Sequence, residues 1–213
     1  MKTINKILFL SLVISLLSCS NAEQTEKNTL PVQTLIGTNI PSLTLDAYHK
    51  GTIKKVSLQS YKGKWLILFF YPGDFTFVCP TELRELSQFY EDFRSDNAEV
   101  LSISTDSVYV HKAWKESSES LKQVTFPMLS DRTAKLSKAL GVYDENTGEA
   151  LRASFIVNPD GIIVAYEIHD PSIGRSAGEL LRKLDAAIAV YKGGGGLCPA
   201  GWKKGDPLIK PIQ

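Results

Sequence analysis

Cysteine is scarce in this sequence. Its 213 residues hold three, Cys19, Cys79 and Cys198, and no two form a C-x-x-C pair. That argues against the local dithiol of a disulfide oxidoreductase. The three histidines, His49, His111 and His169, are scattered, which gives a metal site little to build on. An excess of charge is missing too. Lys and Arg number 24 against 23 Asp and Glu, for a formal charge of +1, and no basic cluster stands out. The electrostatic footprint of a nucleic-acid binder is therefore absent. No repeat is apparent, and no apolar run reaches the ~20 residues that a membrane-crossing helix requires. With 43% hydrophobic residues, the chain suits one globular domain with a full core.

The first nineteen residues, "MKTINKILFLSLVISLLSC", differ in kind from the rest. Lys2 and Lys6 precede a short apolar run, Ile7 to Leu17, and the chain then turns polar at "SNAEQTEKNT". A run of that length behind positive charge reads as a signal h-region. The segment resembles a bacterial lipoprotein signal, in which Cys19 is lipidated and becomes the new N-terminus, although Leu17 is larger than the usual residue there. The resemblance implies an exported protein, lipid-anchored at the cell envelope and touching the membrane by that anchor alone. Ordinary signal-peptidase cleavage, giving a soluble periplasmic protein, and an uncleaved anchor helix are the alternatives. Removing the segment leaves 22 basic against 23 acidic residues.

Residues 20–35 read as a polar tether. "SLTLDAY" and "TIKKVSL" alternate around "HKG" and predict a small hairpin. "WLILFFY", 65 to 71, is a continuous apolar run of the kind that forms a central strand buried on both faces. Leu83, Leu86, Tyr90 and Phe93 at 3-4 spacing predict a helix, "EVLSIS" a strand and "SVYVHKAWKESS" a second helix on which His111 and Trp114 pack. "SFIVNPDGIIVAYEI" predicts a hairpin turned at Asn158-Pro159-Asp160-Gly161, and Ser176 to Tyr191 a closing helix. The order β-α-β-α-β-β-α is the thioredoxin-like arrangement: an α/β fold with a mixed central sheet flanked by helices. We expect that domain over 36–192 and a glycine-loosened tail carrying Cys198 over 193–213.

In that fold a reactive cysteine follows the first central strand and starts the next helix, which is where Cys79 lies. Pro80 suits the first helical turn, where a missing N–H costs little. The positive end of the helix then favours a thiolate, the nucleophilic form. An inert buried thiol, or a structural disulfide to Cys198, is the plain alternative.

"FYPGDFTFVCPTE", 70 to 82, resembles the active-site signature of the peroxiredoxins, and closely that of the typical two-cysteine branch containing the alkyl hydroperoxide reductase C subunit. Pro72, Thr76 and Cys79 fit the family's P-x-x-x-T-x-x-C. "HKAW", "FPMLSD", "LRASFIVNPDGII", "IGRS" and "CPAGWKKGD" extend the resemblance over nearly all of residues 35 to 210. It implies that Cys79 is the peroxidatic cysteine, forming a sulfenic acid, and Cys198 the resolving cysteine, supplied by the partner subunit. It also implies that Thr76 contacts the peroxide, that Arg152 holds thiolate and peroxide, and that Pro72 shields the sulfur. Glu82 would orient arginine, with Arg175 as its second partner, and Trp202 would anchor the tail. The resemblance further implies no bound cofactor or metal, electrons from an external thiol reductant such as a thioredoxin-like or flavoprotein disulfide reductase, and a homodimer or ring of dimers. Easily overoxidised members carry a Gly-Gly-Leu-Gly insert and a C-terminal Tyr-Phe. "SLKQVTFPML" lacks the insert, and the sequence stops at "LIKPIQ", so an unbraced tail and resistance to overoxidation are expected. An exported thiol-disulfide oxidoreductase and an oligomeric holdase remain as other readings.

Overall fold

The computed structural model describes residues 34–211; the signal segment and Cys19 lie outside the described residues. Leu35 packs against the core, and Gly37 N–H donates to the Ile163 carbonyl at 2.9 Å. The first hairpin is β1 (Thr44–His49) and β2 (Thr52–Ser57). Lys50 and Gly51 turn it with φ of 49° and 79°, the left-handed pair whose twist suits a two-residue connection.

The central run forms β3 (Trp65–Phe70), buried at every position. Trp65, Ile67 and Phe69 face one core, while Leu66, Leu68 and Phe70 face the other. The period of two explains why a strand covered on both sides reads as uninterrupted apolar sequence. The single helix expected next is two, α1 (Cys79–Gln88) and α2 (Tyr90–Ser95), broken at Phe89, whose ψ is 2°. Phe89 packs instead toward Gly178, where an added Cβ would stand 3.4 Å from its ring. Leu83, Leu86, Tyr90 and Phe93 are buried regardless.

Beyond these lie β4 (Ala98–Ser104), α3 (Val108–Ser117), the short β5 (Met128–Ser130) and α4 (Lys135–Ala139). A two-residue pair, β6 (Tyr143–Asp144) with β7 (Glu149–Ala150), leads into β8 (Arg152–Val157), β9 (Ile163–His169) and α5 (Ala177–Lys192). The main sheet runs β2-β1-β5-β4-β3-β8-β9. It is mixed: β3, β4 and β5 are parallel, while β8 runs antiparallel between β3 and β9. The three-residue β5 carries no periodic signal, yet it pairs with both β4 and β1 and so draws the first hairpin into the main sheet. Among the described residues, no helix is long and apolar enough to cross a membrane.

The tail is braced rather than loose. Trp202 is only 4% exposed and its indole N–H donates to the Asp206 carbonyl at 2.9 Å. The glycine run is a packed turn: Gly194 and Gly195 have φ of 56° and 98°, and a Cβ at Gly196 would lie 2.8 Å from Leu208. The sequence reading took these glycines for flexibility; the structure uses them for close approach.

Candidate active site

The loop 71–78 leaves the carboxyl end of β3 and enters α1, whose first residue is Cys79. No side chain caps that end of the helix, and Pro80 occupies its first turn, so the positive end of the helix dipole acts beside the sulfur. Arg152 reaches the same place from 73 residues further along. It opens β8, which runs antiparallel to β3 with Ala153 opposite Phe70, so the start of one strand lies beside the end of the other. Its Nη1 donates to Cys79 Sγ at 3.2 Å and to Glu82 Oε2 at 2.7 Å, and its Nε donates to the Pro171 carbonyl at 2.6 Å.

Glu82 sits one helical turn past Cys79, on the same face of α1. From Arg175 it accepts the backbone N–H at 2.8 Å, Nε at 2.9 Å and Nη2 at 3.2 Å. With the Arg152 bond, its roughly four lone-pair sites are all filled. Arg175 also donates Nη1 to Ser154 Oγ at 3.2 Å, and its guanidinium lies 3.5 Å from the Phe69 ring centre. Burial alone would push the Glu82 carboxyl up. The hydrogen bonds and charge of Arg175, then the charge of Arg152, outweigh it and hold the carboxyl below its ordinary value. Burial lowers Arg175 against the opposing pull of Glu82. All four groups are at most 4% exposed. Two guanidiniums in direct contact with one carboxylate leave a surplus of one positive charge among the contacting groups, beside the Cys79 sulfur.

A second polar network holds the loop. Tyr71 Oη donates to Asp74 Oδ1 at 2.8 Å, and His111 Nδ1 stands 2.7 Å from Asp74 Oδ2, with Nε2 3.1 Å from the Leu129 carbonyl. Both ring nitrogens thus face acceptors. Asp74 N–H donates to Asp106 Oδ2 at 2.8 Å. Burial and then the Asp74 charge push Tyr71 well up, keeping it a neutral donor. The network fixes a strained loop: Phe75 has φ of 56°.

A family model described as "AhpC/TSA family" matches residues 36–166. The chain belongs to the AhpC/TSA family. Alkyl hydroperoxide reductase C of Pseudomonas aeruginosa (strain UCBPP-PA14) is 40% identical over 177 residues, 83% of this chain and 95% of that protein. Among solved structures, Enterococcus faecalis AhpC is 47% identical with a TM-score of 0.76, covering 78% of this chain and all of that one. The reduced 2-Cys peroxiredoxin of Plasmodium vivax is 34% identical with a TM-score of 0.81, covering 84% and 95%. The thioredoxin-like fold is thereby shown, and the enzyme is a peroxiredoxin, a thiol peroxidase.

Of the residues the sequence singled out, the peroxiredoxin site brings Cys79, Glu82, Arg152 and Arg175 into one contact group. Pro72 is buried on the entering loop. Thr76 is on that loop too, half-buried, and its Oγ1 donates to the Gly73 carbonyl at 2.9 Å, which leaves its lone pairs free to accept. Cys198 is elsewhere, half-buried beside α5, and both thiols are free. Sequence reasoning missed Asp74, Ser154 and the Pro171 carbonyl, and took His111 for packing alone. Asp74 and His111 are 37 residues apart, and no local pattern announces such a pair.

Glu82→Ala would strand two buried guanidiniums and should cost about 3–5 kcal/mol of stability at neutral pH. Since the folded carboxyl titrates below its ordinary value, its contribution is whole above about pH 4.3 and fades as the pH falls through the lowered value. Denaturant unfolding of both proteins from pH 7 to 3 should show the gap closing in acid; a constant gap would contradict the assignment.

Proposed function

We propose that Cys79 is the peroxidatic nucleophile of a two-cysteine cycle that reduces hydrogen peroxide and organic hydroperoxides. The observation that carries this reading is the 3.2 Å bond from Arg152 Nη1 to Cys79 Sγ, inside a buried cluster with surplus positive charge at a helix N-terminus. The thiolate attacks one peroxide oxygen: the S–O bond forms, the O–O bond breaks, and the departing oxygen leaves as an alkoxide or hydroxide that takes up a proton. Arg152 stabilises sulfur before attack and oxygen charge during it. Thr76 accepts a hydrogen bond from the peroxide O–H, and buried Pro72 keeps water off the sulfur. Glu82 fixes Arg152 in place, and Arg175 fixes Glu82. Arg152→Gln should lower the second-order rate with hydrogen peroxide by about 10²–10³, read by stopped flow under excess enzyme; a loss under threefold would remove Arg152 from the mechanism.

Cys198 then resolves the sulfenic acid. Its thiol condenses with Cys79–SOH, forming S–S and releasing water, and an external dithiol restores both thiols. Overall, ROOH + 2 RSH gives ROH + H₂O + RSSR. Cys79 is fully buried and Cys198 lies in a groove with Trp65, Val164 and Tyr191, so the first turn of α1 and the tail both have to open. That separation supports a Cys198 supplied by a second subunit, in a homodimer or ring of dimers. One equivalent of hydrogen peroxide should convert the chain to a disulfide-linked dimer on non-reducing electrophoresis, absent in Cys79→Ser and in Cys198→Ser. A monomer that consumes peroxide without cross-linking would sink the two-subunit cycle.

We further propose export, lipidation at Cys19, and re-reduction by an exported thioredoxin-like dithiol protein. The support is the sequence of residues 1–19 alone. Labelled palmitate should enter the chain in a bacterial host and be lost in Cys19→Ala; equal labelling of both would refute the anchor.

A further inference from the structure

The contacts that keep Cys198 docked are used by no step of the peroxide reaction. Lys204 Nζ, on the tail, lies 2.9 and 2.8 Å from the two carboxylate oxygens of Asp96 and 2.9 Å from Asp185 Oδ1. Asp96 immediately follows α2 and Asp185 lies mid-way along α5, so one ammonium ties the tail to both helices. The lysine side chain is 61% exposed, but the carboxylates are only 16% and 10% exposed. Without the cation, two poorly solvated like charges would face each other. Burial holds Asp185 above its ordinary range, with the Asp96 charge adding to it, even against the opposing bond from Lys204.

The rest of the tail is joined to that lysine through further contacts. Leu197 and Ile209 exchange both backbone hydrogen bonds at 2.8 Å, closing the segment between them into a loop that holds Cys198, Trp202 and Lys204. Arg182 Nη1 donates to the Trp202 carbonyl at 2.9 Å while its other nitrogens are clamped by Glu179 at 2.7 and 2.9 Å. Cys198 lines an apolar groove of about 440 Å³ beneath this loop. Freeing the thiol therefore means separating Lys204 from both carboxylates.

We propose that Lys204 is a positioning residue for the disulfide step, latching the tail to Asp96 and Asp185 and so setting how often Cys198 is released to meet the Cys79 sulfenic acid. The proposal rests on the reading of Cys198 as the resolving cysteine. The step itself is balanced: the S–S bond forms, the S–O bond of the sulfenic acid breaks, and the thiol proton leaves with the hydroxyl as water. A tight latch lengthens the life of the sulfenic acid and gives a second peroxide time to carry it to sulfinic acid.

The test is stopped-flow tryptophan fluorescence of the full chain mixed with hydrogen peroxide, which separates oxidation of Cys79 from the following disulfide step. Lys204→Met and Asp96→Asn should leave the first phase unchanged and speed the second roughly fivefold, the scale of a partly exposed ion-pair network. Lys204→Arg should restore the wild-type second phase. Added salt should speed that phase in the wild type and not in Lys204→Met. Sulfinic acid at Cys79, read by intact mass, should fall as the second phase quickens. Equal second phases in wild type and Lys204→Met, or both phases shifting in parallel, would overturn the latch while leaving the two-cysteine cycle intact. Failure of the wild type to form any Cys79–Cys198 disulfide would overturn both.

Discussion

One buried carboxylate holds the catalytic end of this molecule together. Glu82 binds a guanidinium from the start of β8 and another from the segment entering α5, spanning 70 and 93 residues of sequence. Burying charge is costly, and a pair removed from water is retained only when its hydrogen bonds are complete. Here they are complete on the carboxylate, and the imbalance falls on the cations. That surplus lies against the sulfur of Cys79, while the charge of Glu167 also acts on Arg175. The network that ties α1 to the sheet is therefore the one that contacts the sulfur, and on the proposed mechanism stability and reactivity cannot be separated by deleting one member of it.

Topology explains how such distant residues meet. The parallel strands β3 and β4 end at one edge of the sheet, the usual place for a site in an α/β fold. Insertion of β8 antiparallel to β3 brings the beginning of a strand to that same edge, and Arg152 stands at that beginning. The loop from β3 is then locked by the buried contacts among Tyr71, Asp74 and His111, which hold Phe75 in a conformation that a side-chain-bearing residue avoids. A loop stiffened in this way holds Thr76, whose Oγ1 is tied to the Gly73 carbonyl, in a fixed orientation three residues before Cys79.

Much of this was legible in the sequence, and the exceptions have physical reasons. Strand β3, both hairpins and α5 announced themselves because burial imposes a period on apolar residues, and those periods are local. The three residues of β5 are too short to show a period, so the joining of the first hairpin to the main sheet was invisible. The break at Phe89 was hidden because Leu83, Leu86, Tyr90 and Phe93 keep helical spacing across it. Cys79 was locatable from its place between strand and helix. Arg152 and Arg175 carried no local signal, and only the family resemblance marked them. The Asp74–His111 contact depends on tertiary pairing alone. Glycine misled in the tail: four in a row suggest looseness, whereas two take positive φ and the others make room for Leu208.

The reduced structure is built for the first half of a reaction and obstructs the second. In the proposed cycle, attack on peroxide uses a sulfur held by Arg152, at the end of an intact helix and away from water. Disulfide formation needs Cα atoms within ~7 Å of each other, which requires the first turn of α1 to unwind and the tail to leave α5. Each opening breaks a different set of contacts: the Glu82–arginine cluster constrains one, and Lys204 with Arg182 constrains the other. Because the two sets share no residue, they can be altered independently. On the proposed cycle, the first would govern how fast peroxide is reduced, and the second how long the oxidised sulfur waits for its partner.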